Sequence, residues 1–294
     1  MTQEVTAVAT PQSLPRYLLG ISTKMYFSHA QTTSYLQRLA TALTPSLTLP
    51  SRPKGKEIAE KLQFFYIPSF PSLYSCAQLL QSQKLSILLG GQDCSEYASG
   101  AHTGCVSAGQ LREVGCSMVE LGHAERRAAP VCESDALVAA KVRVAVEMGL
   151  IPLVCVGEKE KVVGESVSRR IGVAVEEVVA QVEPVLRRLM GVVGDGKEVR
   201  FVVFAYEPVW AIGAERPAEA DHVVAVVRAV RELVTRRYLK QGGGLDGLEV
   251  RFLYGGSAGP GTWKALKGEL DGLFLGRFAH DVENVQAVVQ EMLE

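Results

Sequence analysis

None of the six cysteines, Cys76, Cys94, Cys105, Cys116, Cys132 and Cys155, forms a CxxC pair, and no apolar run reaches the roughly 18 residues that a membrane span requires. The cysteine spacing therefore indicates neither a disulfide scaffold nor a structural metal, and reduced thiols in the cytoplasm are expected. Net charge is also nearly absent, at -1 over 294 residues. Such a chain has no field suited to drawing in nucleic acid or an anionic membrane, so a small anionic ligand would need a local trap. The opening segment "MTQEVTAVATPQSLPR" lacks both a basic n-region and a long apolar h-region, and residues 1–16 read as a flexible arm rather than a signal.

What the chain does have is 47% hydrophobic residues distributed in short runs. These are "YLLGIS" (17–22), "FFYIP" (64–68), "SILLGGQD" (86–93), "MVELGH" (118–123), "IPLVCVGE" (151–158), "FVVFAYEP" (201–208), "RFLYGGS" (251–257) and "GLFLGR" (272–277). Between most of them lie segments of helical periodicity, such as "SDALVAAKVRVAVEMGL" and "HVVAVVRAVRELVTRRYL". Continuous apolar runs alternating with amphipathic helices predict a parallel sheet with helices outside it. Eight such units over residues 17–294, with no composition break, fit a single (β/α)8 barrel better than a doubly wound sheet. "GVVGDGKEV" (191–199) and "QGGGLDG" (241–247) read as Gly-rich surface turns that end helices before strands.

In such a barrel the chemistry sits at the C-terminal strand ends. The polar residues there are Lys24, Gln92, Asp93, His123, Glu125, Glu158, Glu207, Ser257 and Arg277. Each alone has an ordinary structural explanation as a surface charge, a satisfied core histidine or a helix cap. Together they bring an acid, an imidazole, a cation and glycine-rich turns to one face, which is a working set for proton transfer beside a carbonyl. That chemistry calls for a base and an electrophile, so no metal and no organic cofactor is expected.

The strings "GGQDCSEYASGAHTGCVSAGQL", "ELGHAERR", "CESDALVAAKV", "CVGE", "AYEPVWAIG" and "YGGS" resemble the triosephosphate isomerase family, in the family's order, from about Tyr17 to the C-terminus. The resemblance implies interconversion of dihydroxyacetone phosphate and glyceraldehyde 3-phosphate through an enediol(ate), as part of glycolysis and gluconeogenesis. Glu207 matches the general base, His123 the neutral imidazole that polarises the carbonyl, and Lys24 the cation beside the same oxygen. Gly255, Gly256, Ser257 and Gly276 match the phosphate loops, joined by Gly213 from a lid, "PVWAIGAERPA". Glu125 is expected to hold Lys24 or a neighbour, and Arg126 or Arg127 to brace the loops. The loop "SGAHTGCVS" (99–107), with Thr103 at its reaching position, matches the one that inserts into a neighbouring subunit, so a homodimer is expected.

Three departures from the family pattern stand out. Ser22-Thr23-Lys24 replaces the usual Asn-Trp-Lys, Gly276-Arg277 replaces Gly-Gly, and the lid tip reads "GAER" in place of Gly-Thr-Gly-Lys. The first two are similar to a branch that isomerises four-carbon ketose phosphates such as erythrulose phosphates, which is the alternative substrate class. A catalytically silent barrel that binds a phosphorylated metabolite is the alternative of another kind, disfavoured by the joint presence of Lys24, His123 and Glu207.

Overall fold

A computed structural model describes residues 11–47 and 61–294. Eight strands, β1 (Tyr17–Ser22), β2 (Leu62–Ile67), β3 (Ile87–Gly91), β4 (Met118–Leu121), β5 (Ile151–Val156), β6 (Phe201–Tyr206), β7 (Glu249–Tyr254) and β8 (Gly272–Leu275), pair in chain order. Every pairing is parallel, and β8 returns to β1, so the expected barrel is closed. Helices occupy the connections, among them Leu73–Ser82, Asp135–Glu147, Val167–Gly194, Ala220–Val234 and Val282–Leu293.

The strands are buried on both faces, and their side chains divide by alternation. Leu19 and Ile21, Phe64 and Tyr66, and Val154 and Val156 face the helices and join the outer core. Leu18, Phe65, Ile67, Met118, Leu153, Val203, Leu253 and Phe274 form a second, separate cluster inside the barrel. Strand parity then carries the inward positions on toward the rim: Ser22 after Leu18 and Gly20, Glu120 after Met118, Cys155, itself in the cluster, after Leu153, and Glu207 after Val203 and Ala205.

Two segments differ from expectation. The helix Val167–Gly194 runs 28 residues and takes in Gly191 and Gly194, so only Asp195 and Gly196 onward turn. An apolar stripe that includes Val182, Val185, Leu186, Leu189 and Val192 buries this helix against the core and overrides the glycines' weak helix propensity. Residues 1–10 of the N-terminal arm lie outside the described residues. Of the remainder, Leu14 is 8% exposed in the inner cluster, and the carbonyl of Arg16 accepts from Arg251 Nη1 at 2.9 Å.

Candidate active site

At the C-terminal rim of the strands opens a cleft of about 1040 Å³, at the upper end of the range for small-molecule sites. Ser22, Lys24, His123, Glu125, Glu207, Gly213, Gly255, Ser257, Gly276 and Arg277 all line it.

Glu207 follows β6 and is 5% exposed. Its backbone N–H donates to the Val156 carbonyl at 2.8 Å, and the Gly255 N–H donates to the Tyr206 carbonyl at 3.0 Å, which fixes the strand end on both sides. Room for the carboxylate comes from glycine. A Cβ at Gly255 would lie 2.4 Å from Glu207 Oε1, and one at Gly157 would lie 2.0 Å from the Glu207 carbonyl oxygen. "CVGE" and "YGGS" thus owe one glycine each to the close approach of this acid. Glu207 Oε2 is buried without a hydrogen-bond partner and stands 3.6 Å from His123 Nε2. A carboxylate oxygen in that condition is available to a C–H or O–H proton of a ligand.

His123 ends the approach from β4 and caps the short turn Ala124–Arg127. Its Nδ1 accepts the Glu125 backbone N–H at 3.2 Å, which assigns the ring's own proton to Nε2, the nitrogen turned to the cleft. Lys24 Nζ lies 2.7 Å from that Nε2 and 3.2 Å from Glu125 Oε1. Lys24 and His123 thus border the cleft side by side, from where an ammonium and an imidazole can each reach an oxygen that gains negative charge. Lys24 has φ 48°, a left-handed conformation unusual for a lysine, and its carbonyl is held by Gln92 Nε2 at 2.8 Å.

The lid begins at Pro208 with a 3₁₀ turn, Val209–Ala211, and its tip residues Gly213 to Pro217 are exposed. Ser257 Oγ donates to the Ala211 carbonyl at 2.8 Å, and Arg277 Nη2 donates to the Gly213 carbonyl at 3.0 Å. The guanidinium that replaces the second glycine of the family pattern therefore reaches the lid. Trp210 Nε1 and His222 Nε2 meet Glu158 Oε1 at 3.0 and 2.8 Å, with Tyr206 Oη 2.9 Å from Glu158 Oε2. Glu158 thereby anchors the front hinge outside the cleft.

Other expected residues stand elsewhere. Arg126 does not line the cleft; it pairs with Asp93 Oδ2 and Glu133 Oε1, both at 2.7 Å, beside buried Lys141. Arg127 Nε donates to the Gly122 carbonyl at 2.6 Å, and its guanidinium pairs with Asp135 at 2.5 Å. Gly256 is buried against Tyr254 and stays off the cleft wall. Thr103 is exposed at a loop tip closed by Ser95 N–H to Val106 C=O at 2.8 Å, with Tyr97 stacked on His102 at 3.9 Å.

Sequence reading missed Glu120, which is 3% exposed yet lines the cleft. Its Oε2 accepts the Ser22 hydroxyl at 2.8 Å, and Cys155 Sγ lies 4.0 Å from Oε1. Burial pushes its carboxyl above the usual range, against the pull of His123 and Lys24. The available signal was a charge inside an otherwise apolar strand, "MVEL".

The fold is a closed (β/α)8 barrel with an acid, an imidazole and an ammonium gathered at one cleft on the C-terminal rim of its strands. A family model described as triosephosphate isomerase matches residues 17–292. The chain is 36% identical over 276 residues to an L-erythrulose-1-phosphate isomerase of Pectobacterium atrosepticum, covering 93% of this chain and 94% of that one. It is 37% identical over 258 residues to a triosephosphate isomerase of Corynebacterium glutamicum, covering 86% and 88%. In fold it is similar to a crystal structure of triosephosphate isomerase from Bartonella henselae, with a TM-score of 0.69 and 24% identity over 94% of this chain and 98% of the other. The chain belongs to the triosephosphate isomerase family and is a sugar-phosphate isomerase.

Proposed function

We propose that the protein moves a proton between adjacent carbons of a small phosphorylated keto sugar, in the manner of dihydroxyacetone phosphate and glyceraldehyde 3-phosphate. The observation that carries this reading is the unpartnered Glu207 Oε2, 3.6 Å from His123 Nε2, with Lys24 Nζ 2.7 Å from the same nitrogen. Glu207 takes a proton from the hydroxyl-bearing carbon, and the C–H electron pair becomes the C=C of an enediol(ate). The former carbonyl oxygen gains negative charge between Lys24 and His123. His123 relays the hydroxyl proton between the two oxygens, and Glu207 returns its proton to the neighbouring carbon, so nothing is gained or lost. The phosphate is held by the loops of Gly213, Ser257, Gly276 and Arg277, which line the cleft. Lid closure excludes the water that would otherwise favour loss of phosphate from the intermediate.

A four-carbon ketose 1-phosphate is the second reading, favoured by Ser22 in place of the longer amide and by the likeness to the erythrulose-phosphate enzyme. Its reacting unit, phosphate–CH2–C(=O)–CHR–OH, differs from the triose only in R, hydroxymethyl for hydrogen. Activity with dihydroxyacetone phosphate and with erythrulose 1-phosphate should fall on the order of 10²-fold in Glu207→Asp, which withdraws the carboxylate. Absence of turnover of either by the wild type sinks the isomerase reading.

The cytoplasmic location and the place in glycolysis and gluconeogenesis rest on family likeness. So does the homodimer, which the exposed Thr103 loop and Met25, 93% exposed, also favour. A purely monomeric sedimentation profile at micromolar protein would remove the dimer.

A further inference from the structure

We infer that Glu120 and Ser22 form a hydroxyl-recognising subsite on the floor of the cleft that takes the terminal hydroxymethyl group of a four-carbon ketose 1-phosphate. The inference rests on the isomerase reading and adds two specificity-determining residues to it.

Proton transfer and oxygen stabilisation are complete without Glu120: Glu207 carries the proton, while Lys24 and His123 face the oxygen. The phosphate groups are at the other strand ends, on the loops of Ser257 and Gly276. That leaves a polar pair with no part in the reaction of a three-carbon substrate. Glu120 is an acid in an inward strand position that its lower neighbour Met118 fills with hydrocarbon. No lysine, arginine or histidine pairs with it within ion-pair distance among the described residues. It accepts from the Ser22 hydroxyl at 2.8 Å and from the Cys155 thiol at 4.0 Å.

Burial of an acid without a cation favours its neutral form, in which the carboxyl has an O–H to donate as well as an oxygen to accept. Ser22 occupies Oε2 with its own proton, so Oε1 retains capacity and belongs to a residue on the cleft wall. A hydroxyl group, donor and acceptor at once, matches a carboxylic acid and a serine oxygen. A methyl or a second phosphate does not. Ser22 ends β1 two residues before Lys24 and lines the same cleft, which puts the pair beside the reacting carbons, where R branches from the carbon that loses its proton.

The test compares kcat/KM for dihydroxyacetone phosphate and erythrulose 1-phosphate in wild type, Glu120→Gln and Glu120→Leu, with Glu207→Gln as a separate arm. Replacing the acid by leucine leaves a bound hydroxyl without partners, so the tetrulose-to-triose ratio of kcat/KM should fall roughly 30-fold or more in Glu120→Leu. Glu120→Gln, which keeps a donor and an acceptor, should retain most of the ratio. Equal loss on both substrates, or an unmoved ratio, overturns the subsite and leaves the isomerase reading standing, as does wild-type turnover of the triose alone. Wild-type silence on both substrates overturns that reading and the subsite with it. Glu207→Gln should lower both activities by the same factor, roughly 10³-fold, and leave their ratio unmoved. If Glu120→Leu fails to fold, Ser22→Ala supplies the same comparison, and an unchanged ratio there overturns the subsite.

Discussion

The two halves of the barrel interior are built by one rule and used for opposite ends. Midway along the strands, the inward positions are Leu18, Phe65, Met118, Leu153, Val203, Leu253 and Phe274, an apolar cluster. One or two inward steps higher, the same alternation places Ser22, Glu120, Cys155 and Glu207. The lower half repays chain entropy through burial, while the upper half spends some of that stability on acids held out of water. Stability and chemistry are thus separated by about two residues of strand.

Glu207→Gln is the sharpest way to test that separation. Activity on either sugar phosphate should fall roughly 10³-fold, within the range for losing a general base, while thermal stability holds or rises because a buried, unpartnered carboxylate oxygen is neutralised. A large loss of stability would mean that the rim also carries the fold. Phe65→Ala is the mirror experiment. Phe65 is fully buried, lies tilted against Phe274 with ring centroids 5.6 Å apart and covers Gly20, so its removal should cost about 3–5 kcal/mol in denaturant unfolding. The folded fraction should keep kcat close to wild type, and a selective loss of kcat would blur the division.

Arg277→Ala removes the clasp on the Gly213 carbonyl and one cation from the cleft. The expected result is an increase in KM of about 10-fold, with a smaller change in kcat, read in steady-state assays. An unchanged KM would separate Arg277 from ligand binding.

Glu120 gives the smallest effect and a pH signature. Burial, the largest cause, raises its carboxyl in the fold, opposed by His123, Lys24 and the Ser22 hydroxyl and aided by Glu207, with Cys155 the remaining neighbour. The native state then binds the proton more tightly than the unfolded chain. Stability is fully present below the ordinary carboxylate value of 4.5 and is lost as pH rises through the raised one. Glu120→Gln should therefore melt higher than wild type near neutral pH, by roughly 2–4 °C per kcal/mol recovered, and the difference should vanish in acid. A difference that does not change with pH would mean that Glu120 is not held in its neutral form.

Most of the fold was legible because its signals are local. Gly and Pro punctuate each apolar run, and the strings "ELGHAERR" and "AYEPVWAIG" are long enough to place His123 and Glu207 at strand ends without coordinates. Glu120 was not legible as a site residue for a specific reason. A parallel barrel strand is apolar on both faces, so its sequence carries no polar alternation to say which residues point inward. "MVELGH" announces a strand and conceals the direction of its acid. The glycines "Gly191" and "Gly194" misled in the other direction, since local propensity suggests a turn where the buried stripe of a 28-residue helix prevails.

By itself the sequence determined the number and order of strand–helix units, the identity of the acid, imidazole and lysine, and the residues that depart from the family pattern. These follow from short-range periodicity and from chemistry that residue type alone specifies. Closure of the sheet decided the rest: which side chains face the interior, that Ser22 meets Glu120 across 98 positions of chain, and that Arg277 reaches Gly213 across 64. Such contacts depend on strand register and twist around the whole barrel, and register is a property of the assembled sheet.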